Sequence, residues 1–250
     1  MSKFIVIASG KGGVGKTTSA VNLAAAMSSF DEDVTLVDVN MTTPNVGLHL
    51  GAPVVPVSLN HVLSGKADLV DSIYEHESGI KVVPSSLSIK ELKNLSEYSL
   101  VSATRDLRKV SDIVIFDSAA GLGEEVRASL SIADEVIIVT NPEMPAVTDA
   151  LKTAKLAENM GKVVRGIIIT KVRGNRTEMT LKNISEMLEL PILGIVPEDY
   201  SINESLAMRN AVFLTHPNSK SAKAYRRIAS KILGREIPRK KSLFARIFRL

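Results

Sequence analysis

Apolar runs recur along the chain at 4–8, 34–37, 81–84, 113–116, 136–139, 166–170 and 192–196. Most are continuous in Val and Ile, with little polar alternation. That is the pattern of parallel strands buried on both faces. Segments of helical period lie between them, over 16–29, 123–131, 145–160, 177–189 and 217–233, with shorter helices predicted at 59–64 and 68–74. Alternating β and α elements predict an α/β fold, a doubly wound and mostly parallel sheet flanked by helices. Ligands of such sheets gather at the carboxyl ends of strands. Gly10 follows the first run, Asp38 the second, Asp117 the fourth and Asn141 the fifth. The pattern breaks most clearly at 234–241, where Pro238 and a group of charges end the last long helix. A body over 1–234 and a separate tail over 235–250 are therefore expected.

The first strand run leads into a glycine loop. Gly10, Gly15, Lys16 and Thr17 satisfy Gly-x-x-x-x-Gly-Lys-Thr, and the pattern stands between a strand and a helix, as a phosphate-cradling loop requires. The glycines of this loop, Gly10, Gly12, Gly13 and Gly15, are expected to allow positive φ and to let backbone N–H groups turn toward phosphate oxygens. The helix beginning at Lys16 adds its positive N-terminal end. Lys16 is expected to supply charge to the β- and γ-phosphates, and the Thr17 hydroxyl can ligate magnesium. Gly10 to Thr17, with Lys11 and Val14 inside the loop and Thr18 behind it, are thus the expected binding residues for a magnesium–nucleoside triphosphate. Asp38 and Asp117, at strand ends facing this loop, are expected to hold metal-bound water. The backbone N–H of Gly121 is expected to face the terminal phosphate.

Lys11 is an additional lysine inside the loop. With it, KGGVGKT at 11–17 resembles the deviant Walker A, or SIMIBI-class P-loop, ATPases, and the MinD/ParA branch in particular. Further segments match in order over residues 1 to about 234: DVNMTTPN at 38–45, DIVIFDSAAG at 112–121, TNPEMPAVTDA at 140–150, TKVRGNR at 170–176 and VPEDYSI at 196–202. The resemblance implies ATP and Mg2+ as ligands and an ATP-dependent homodimer. In that dimer Lys11 would reach the partner's phosphates and act with Lys16 in catalysis. It also implies that Glu143 meets the ribose across the dimer, and that Lys171, Pro197 and Glu198 lie around the adenine. One position departs from the pattern. MinD-like proteins usually carry Asp-x-Asp where this chain reads Asp38-Val39-Asn40. An amide orients water but is a poor proton acceptor, so slow hydrolysis is expected.

Charge separates body from tail. Residues 235–250 carry Arg235, Arg239, Lys240, Lys241, Arg246 and Arg249 against Glu236, a net +5; the whole chain is +4, so residues 1–234 sum to −1. The near-neutral body gives no reason to expect nucleic acid as a partner. On a helical wheel Leu243, Phe244, Ile247, Phe248 and Leu250 share an arc about 160° wide, with Lys241, Arg246 and Arg249 outside it. This is the form of a membrane-surface helix, and MinD proteins end in a similar segment. The expected partners are a second copy of the chain, an anionic membrane surface and an unidentified regulatory or cargo protein.

The chain has no cysteine, which excludes disulfides, iron–sulfur clusters and cysteine nucleophiles. Its four histidines show no ligand spacing and read as surface or loop residues. The N-terminus has no signal-peptide pattern, and no stretch approaches the ~18 apolar residues of a membrane span. The expectation is a cytoplasmic ATPase, peripheral on the inner membrane face, that positions a division site or another cell-surface structure. Two alternatives stay open at this point: a ParA-like partition ATPase that binds DNA, and a scaffold that uses ATP only to join two subunits.

Overall fold

A computed structural model describes residues 2–88 and 97–237. Eight strands form one sheet: β1 (Lys3–Ser9), β2 (Val34–Asp38), β3 (Tyr74–Glu75), β4 (Lys81–Val83), β5 (Ile113–Ala120), β6 (Glu135–Thr140), β7 (Val163–Val172) and β8 (Ile192–Pro197). Their order is β3-β4-β2-β5-β1-β6-β7-β8, and every neighbouring pair is parallel except β3–β4. The described helices are α1 (Lys16–Ser28), α2 (Val46–His49), α3 (Leu59–Leu63), α4 (Glu97–Thr104), α5 (Glu124–Ile132), α6 (Met144–Asn159), α7 (Leu181–Leu188), α8 (Tyr200–Ala207), α9 (Val212–Thr215) and α10 (Lys220–Leu233).

The continuous apolar runs are explained by burial on both faces. Ile5 and Ile7 of β1 join a core with Leu23 of α1 and Tyr225 and Ile228 of α10. Phe4, Val6 and Ala8 point the other way, into a core with Val126 of α5, Val147 of α6 and Ile184 of α7. Period-two side chains on a strand covered by helices on both sides leave no polar face. The strand order turns at β1, which lies between β5 and β6, so the glycine loop after β1 opens at the sheet's switch point.

Several predicted elements shift at their ends. The segment predicted as a helix over 68–74 is a 3-10 turn at Leu69–Ser72 that leads into β3. Tyr74 pairs with Val82, so sheet pairing claims the end of that segment. The helix expected from 177 starts at 181, where Thr180 Oγ1 accepts the Asn183 N–H. The helix expected from 217 starts at 220, capped by Ser219. α8 was not apparent from the sequence, because it is eight residues long and its apolar face is only Ile202 and Leu206, one turn apart. The amphipathic segment with Leu243, Phe244, Ile247, Phe248 and Leu250 lies outside the described residues.

Candidate functional site

Gly10 to Thr17 connects β1 to α1 as a cradle. Gly13 and Gly15 take φ of 77° and 87°, a region that side chains with a Cβ rarely occupy. Gly10 is required for a different reason. A Cβ there would lie 2.2 Å from the backbone oxygen of Asp149 in α6. Gly12 departs from the expectation for the loop glycines. It lies outside the positive-φ region, and a Cβ built on it would meet nothing within 4 Å, because it sits at the exposed outer bend of the loop. Neither backbone conformation nor space within the chain therefore demands glycine at 12; its place is on the wall of the phosphate-side cavity described below. Lys171 Nζ donates to the Gly13 carbonyl at 2.7 Å and holds the loop to the end of β7. Gly15, at the N-cap of α1, has no side-chain cap, and the first turn carries no acid. The first N–H groups of α1 are thus left for an anion.

Beneath the loop lie two wholly buried carboxylates. Asp38 and Asp117 are register partners at the ends of β2 and β5, so the sheet sets them side by side. Lys16 Nζ donates to Asp117 Oδ1 at 2.6 Å, and Thr17 Oγ1 donates to Asp117 Oδ2 at 2.6 Å. The lysine and hydroxyl expected at phosphate and metal are therefore held by one carboxylate. Asp38 accepts N–H groups from Asn40 at 3.1 Å, Asn45 at 2.9 Å and Val46 at 3.0 Å. Burial and the charge of Asp117 still push its pKa up to about 7. Thr17, Asp38 and Asp117 form a set of hard oxygen donors beside an anion cradle, which suits Mg2+ held through water and phosphate.

Asn40 is buried at the start of the loop after β2. Its Nδ2 donates to Thr43 O at 2.7 Å and Thr43 Oγ1 at 3.0 Å, while its Oδ1 accepts the Thr43 N–H at 3.0 Å. Both ends of the amide thus close a local turn, a use that the sequence alone did not suggest. Thr42 at the tip of this turn donates to Glu125 of α5 at 2.6 Å.

Two cavities meet over the loop. One, of about 450 Å³, is lined by Lys11, Gly12, Lys16, Thr17, Asn40 and Ala120 among others. The other, of about 610 Å³, is lined by Thr170, Lys171, Arg173, Pro197, Glu198 and Tyr200 among others. Gly15, Thr18 and Lys171 belong to both. The phosphate-side and base-side residues expected from the sequence are thus brought together, with Thr18 at the junction. A bidentate pair from Arg173 Nε and Nη2 to Glu198 fixes the base-side rim.

One expected contact differs. The Gly121 N–H does not face the cavity; it donates to Ser9 O at 3.0 Å, because β5 continues alongside β1 as far as Ala120. Ala120 lines the cavity in its place. Glu143, expected to act across a dimer, stands at the N-cap position of α6 without a side-chain cap bond, and within this chain its carboxylate lies 3.9 Å from Lys11 Nζ. His49, which the sequence placed among surface or loop histidines, lines the phosphate-side cavity. Its Nδ1 lies 2.9 Å from Asn45 O and so carries a proton, and its Nε2 lies 3.5 Å from Thr18 Oγ1. Only the four-residue spacing from Asn45 hinted at this arrangement.

Comparison with known proteins agrees with this geometry. The profile of the CobQ/CobB/MinD/ParA nucleotide binding domain matches residues 5–212. An uncharacterised ATP-binding protein of Methanocaldococcus jannaschii is 37% identical over 234 residues, covering 94% of this chain and 89% of that protein. The septum site-determining protein MinD of Synechocystis is 30% identical over 251 residues, covering 95% and 92%. The structure of Pyrococcus horikoshii MinD complexed with Mg-ADP superposes with a TM-score of 0.89 at 29% identity, covering 93% of this chain and 96% of that one.

Proposed function

The chain belongs to the CobQ/CobB/MinD/ParA nucleotide-binding family as a MinD-like P-loop ATPase, and from this premise we propose that it is an ATP-dependent, dimerising, membrane-associated positioning ATPase. The observation that carries the reading is the cradle itself. A cavity fit for phosphates opens into one fit for a base, with buried carboxylates beneath it and Lys11 half exposed at its rim. In this reading the loop backbone from Gly10 through Gly12 to Gly15, with Lys16 and Thr18, holds the phosphates, and Lys171, Pro197 and Glu198 border the adenine. Thr17, Asp38 and Asp117 would hold Mg2+, which would supply positive charge beside the phosphates. Lys11 leaves Glu143 and reaches the partner's nucleotide, so that ATP joins two subunits. A regulatory or cargo protein sets the timing of release.

The tail at 239–250 is read as the membrane contact. Anionic lipid favours each nearby cation by about 1 kcal/mol. One short tail binds weakly, because ordering it costs ~1–2 kcal/mol per residue. Two tails on one dimer gain through effective concentration, by about 10²–10⁴-fold. Deleting 239–250 is expected to reduce sedimentation with phosphatidylglycerol vesicles, in ATP and Mg2+, by about tenfold or more, with nucleotide affinity unchanged. Undiminished sedimentation would overturn the membrane reading. So would salt-sensitive binding to duplex DNA without vesicle binding, which is the outcome of a partition ATPase.

Asn40 supports slow turnover, and at its limit a scaffold that holds ATP without hydrolysing it. Its amide adds no negative charge beside Asp38 and is occupied by Thr43. Asn40→Asp is expected to raise ATP turnover about tenfold, measured as phosphate release with vesicles present. The substitution also removes the donor to Thr43 O, at a cost of ~1–3 kcal/mol in the nucleotide-free protein. Equal turnover in the two proteins would show that Asn40 does not limit hydrolysis.

A further inference from the structure

α10 separates its residues sharply. Tyr225, Ile228, Ala229 and Ile232 are buried against the sheet, and Tyr225 also lines the base-side cavity. Lys220, Lys223, Arg227 and Lys231 are exposed. Their spacing of three, four and four residues places them in one stripe about 16 Å long. No acidic residue occurs in 220–233. Among the described residues none of these four cations has an ion-pair partner. Lys231 Nζ donates to the Ile192 carbonyl, and the nearby Asp199 is turned inward to accept the N–H and hydroxyl of Ser221. Arg226, beside the stripe, lies over the Phe213 ring at 4.9 Å. The near-neutral total for 1–234 therefore conceals a segregated basic face.

We propose that this stripe of α10 is a second electrostatic contact with an anionic lipid surface, fixing which side of the body faces the membrane. The inference rests on the membrane reading given above and adds a site to it on the folded body. Charge complementarity selects an anionic partner. Continuity selects lipid, because the chain leaves the C-terminal end of α10 directly into 238–250, whose sequence is both basic and amphipathic. α10 then has one face on the nucleotide cavity and the opposite face on the bilayer. Contact through the tail alone fixes no face of the body, whereas stripe and tail together hold it in one orientation.

The test is the full chain carrying Lys220→Gln, Lys223→Gln and Arg227→Gln, substitutions that keep helix propensity and touch neither cavity. Binding with ATP and Mg2+ is measured on vesicles of phosphatidylcholine with phosphatidylglycerol (about one anionic lipid in three) and on neutral vesicles. Each cation near the surface contributes roughly fivefold, so affinity for anionic vesicles should fall by about tenfold or more, with a shallower salt dependence. Nucleotide affinity and turnover without vesicles should be unchanged. Wild-type vesicle affinity in the triple variant, with the 239–250 deletion still defective, would overturn the stripe and leave the tail reading standing. Failure of the unmodified chain to bind vesicles would overturn both. A loss confined to duplex DNA binding would assign the stripe to nucleic acid and overturn the lipid proposal.

Discussion

Lys16→Ala is expected to destabilise the nucleotide-free protein by about 3–5 kcal/mol, the cost of leaving one member of a buried ion pair alone. Lys16 is 8% exposed and Asp117 fully buried, with 2.6 Å between them. Removing the ammonium leaves the Asp117 carboxylate with the Thr17 hydroxyl and no neutralising charge at hydrogen-bond distance. The same substitution should weaken nucleotide binding about a hundredfold, the worth of a charge-assisted hydrogen bond of ~3 kcal/mol. The two effects separate in a double variant. Asp117→Asn on top of Lys16→Ala keeps an acceptor for Thr17 and removes the orphaned charge. Urea denaturation should show recovery of most of the lost stability, while nucleotide affinity stays low. If Lys16→Ala unfolds at the wild-type urea midpoint, the pair does not govern stability. If Lys16 and Thr17 turn to phosphate and metal as proposed, they must leave Asp117, and part of the binding free energy goes to breaking that clamp.

The second large effect is a pH dependence centred on Asp38. Its pKa in the folded chain is about 7, against 3.8 for the free carboxyl, because it is fully buried and faces Asp117. A group whose folded pKa is raised stabilises fully below its unfolded value. That contribution is lost as pH rises through the folded value. Between about pH 4 and pH 7 the unfolded chain gives up this proton while the folded chain retains it. Asp38 should therefore make stability fall as pH rises across that window, with no further change above it. Urea midpoints of the nucleotide-free protein at about pH 5 and pH 8 should fall more steeply for the wild type than for Asp38→Asn. Parallel slopes would overturn the assignment. Saturating Mg2+ and nucleotide should flatten the wild-type slope, since a cation beside the carboxylate favours its charged form.

The outcome at individual residues shows what could be read early. The cradle was legible because consecutive residues perform it: the glycines, the lysine and the helix start are local in the chain. What each glycine does was less legible. Gly13 and Gly15 use positive φ and Gly10 a close approach, whereas Gly12 uses neither, since its bend faces outward and no other segment packs against it. Asp38 and Asp117 were legible as strand-end acids, because a parallel sheet places all such ends at one edge. Lys171, Pro197 and Glu198 followed from the resemblance, and the base-side cavity brings them together. The Gly121 amide was misplaced, since a residue's position in a motif does not say which acceptor its N–H meets. His49 was missed because histidine spacing reveals metal ligands, and its partners are a carbonyl and a hydroxyl.

By itself the sequence determined the α/β class, the positions of the main strands, the phosphate loop and the division of charge between body and tail. These depend on periodicity and on neighbouring residues, which the chain carries explicitly. Only the tertiary structure decided that Lys16 and Thr17 close on a carboxylate 101 and 100 residues away, and that both ends of the Asn40 amide are taken by a turn. Only it set the cations of α10 in the open while Tyr225 of the same helix met the base-side cavity. Those facts depend on which surfaces are buried against which, and burial is a property of the assembled layers rather than of any one segment.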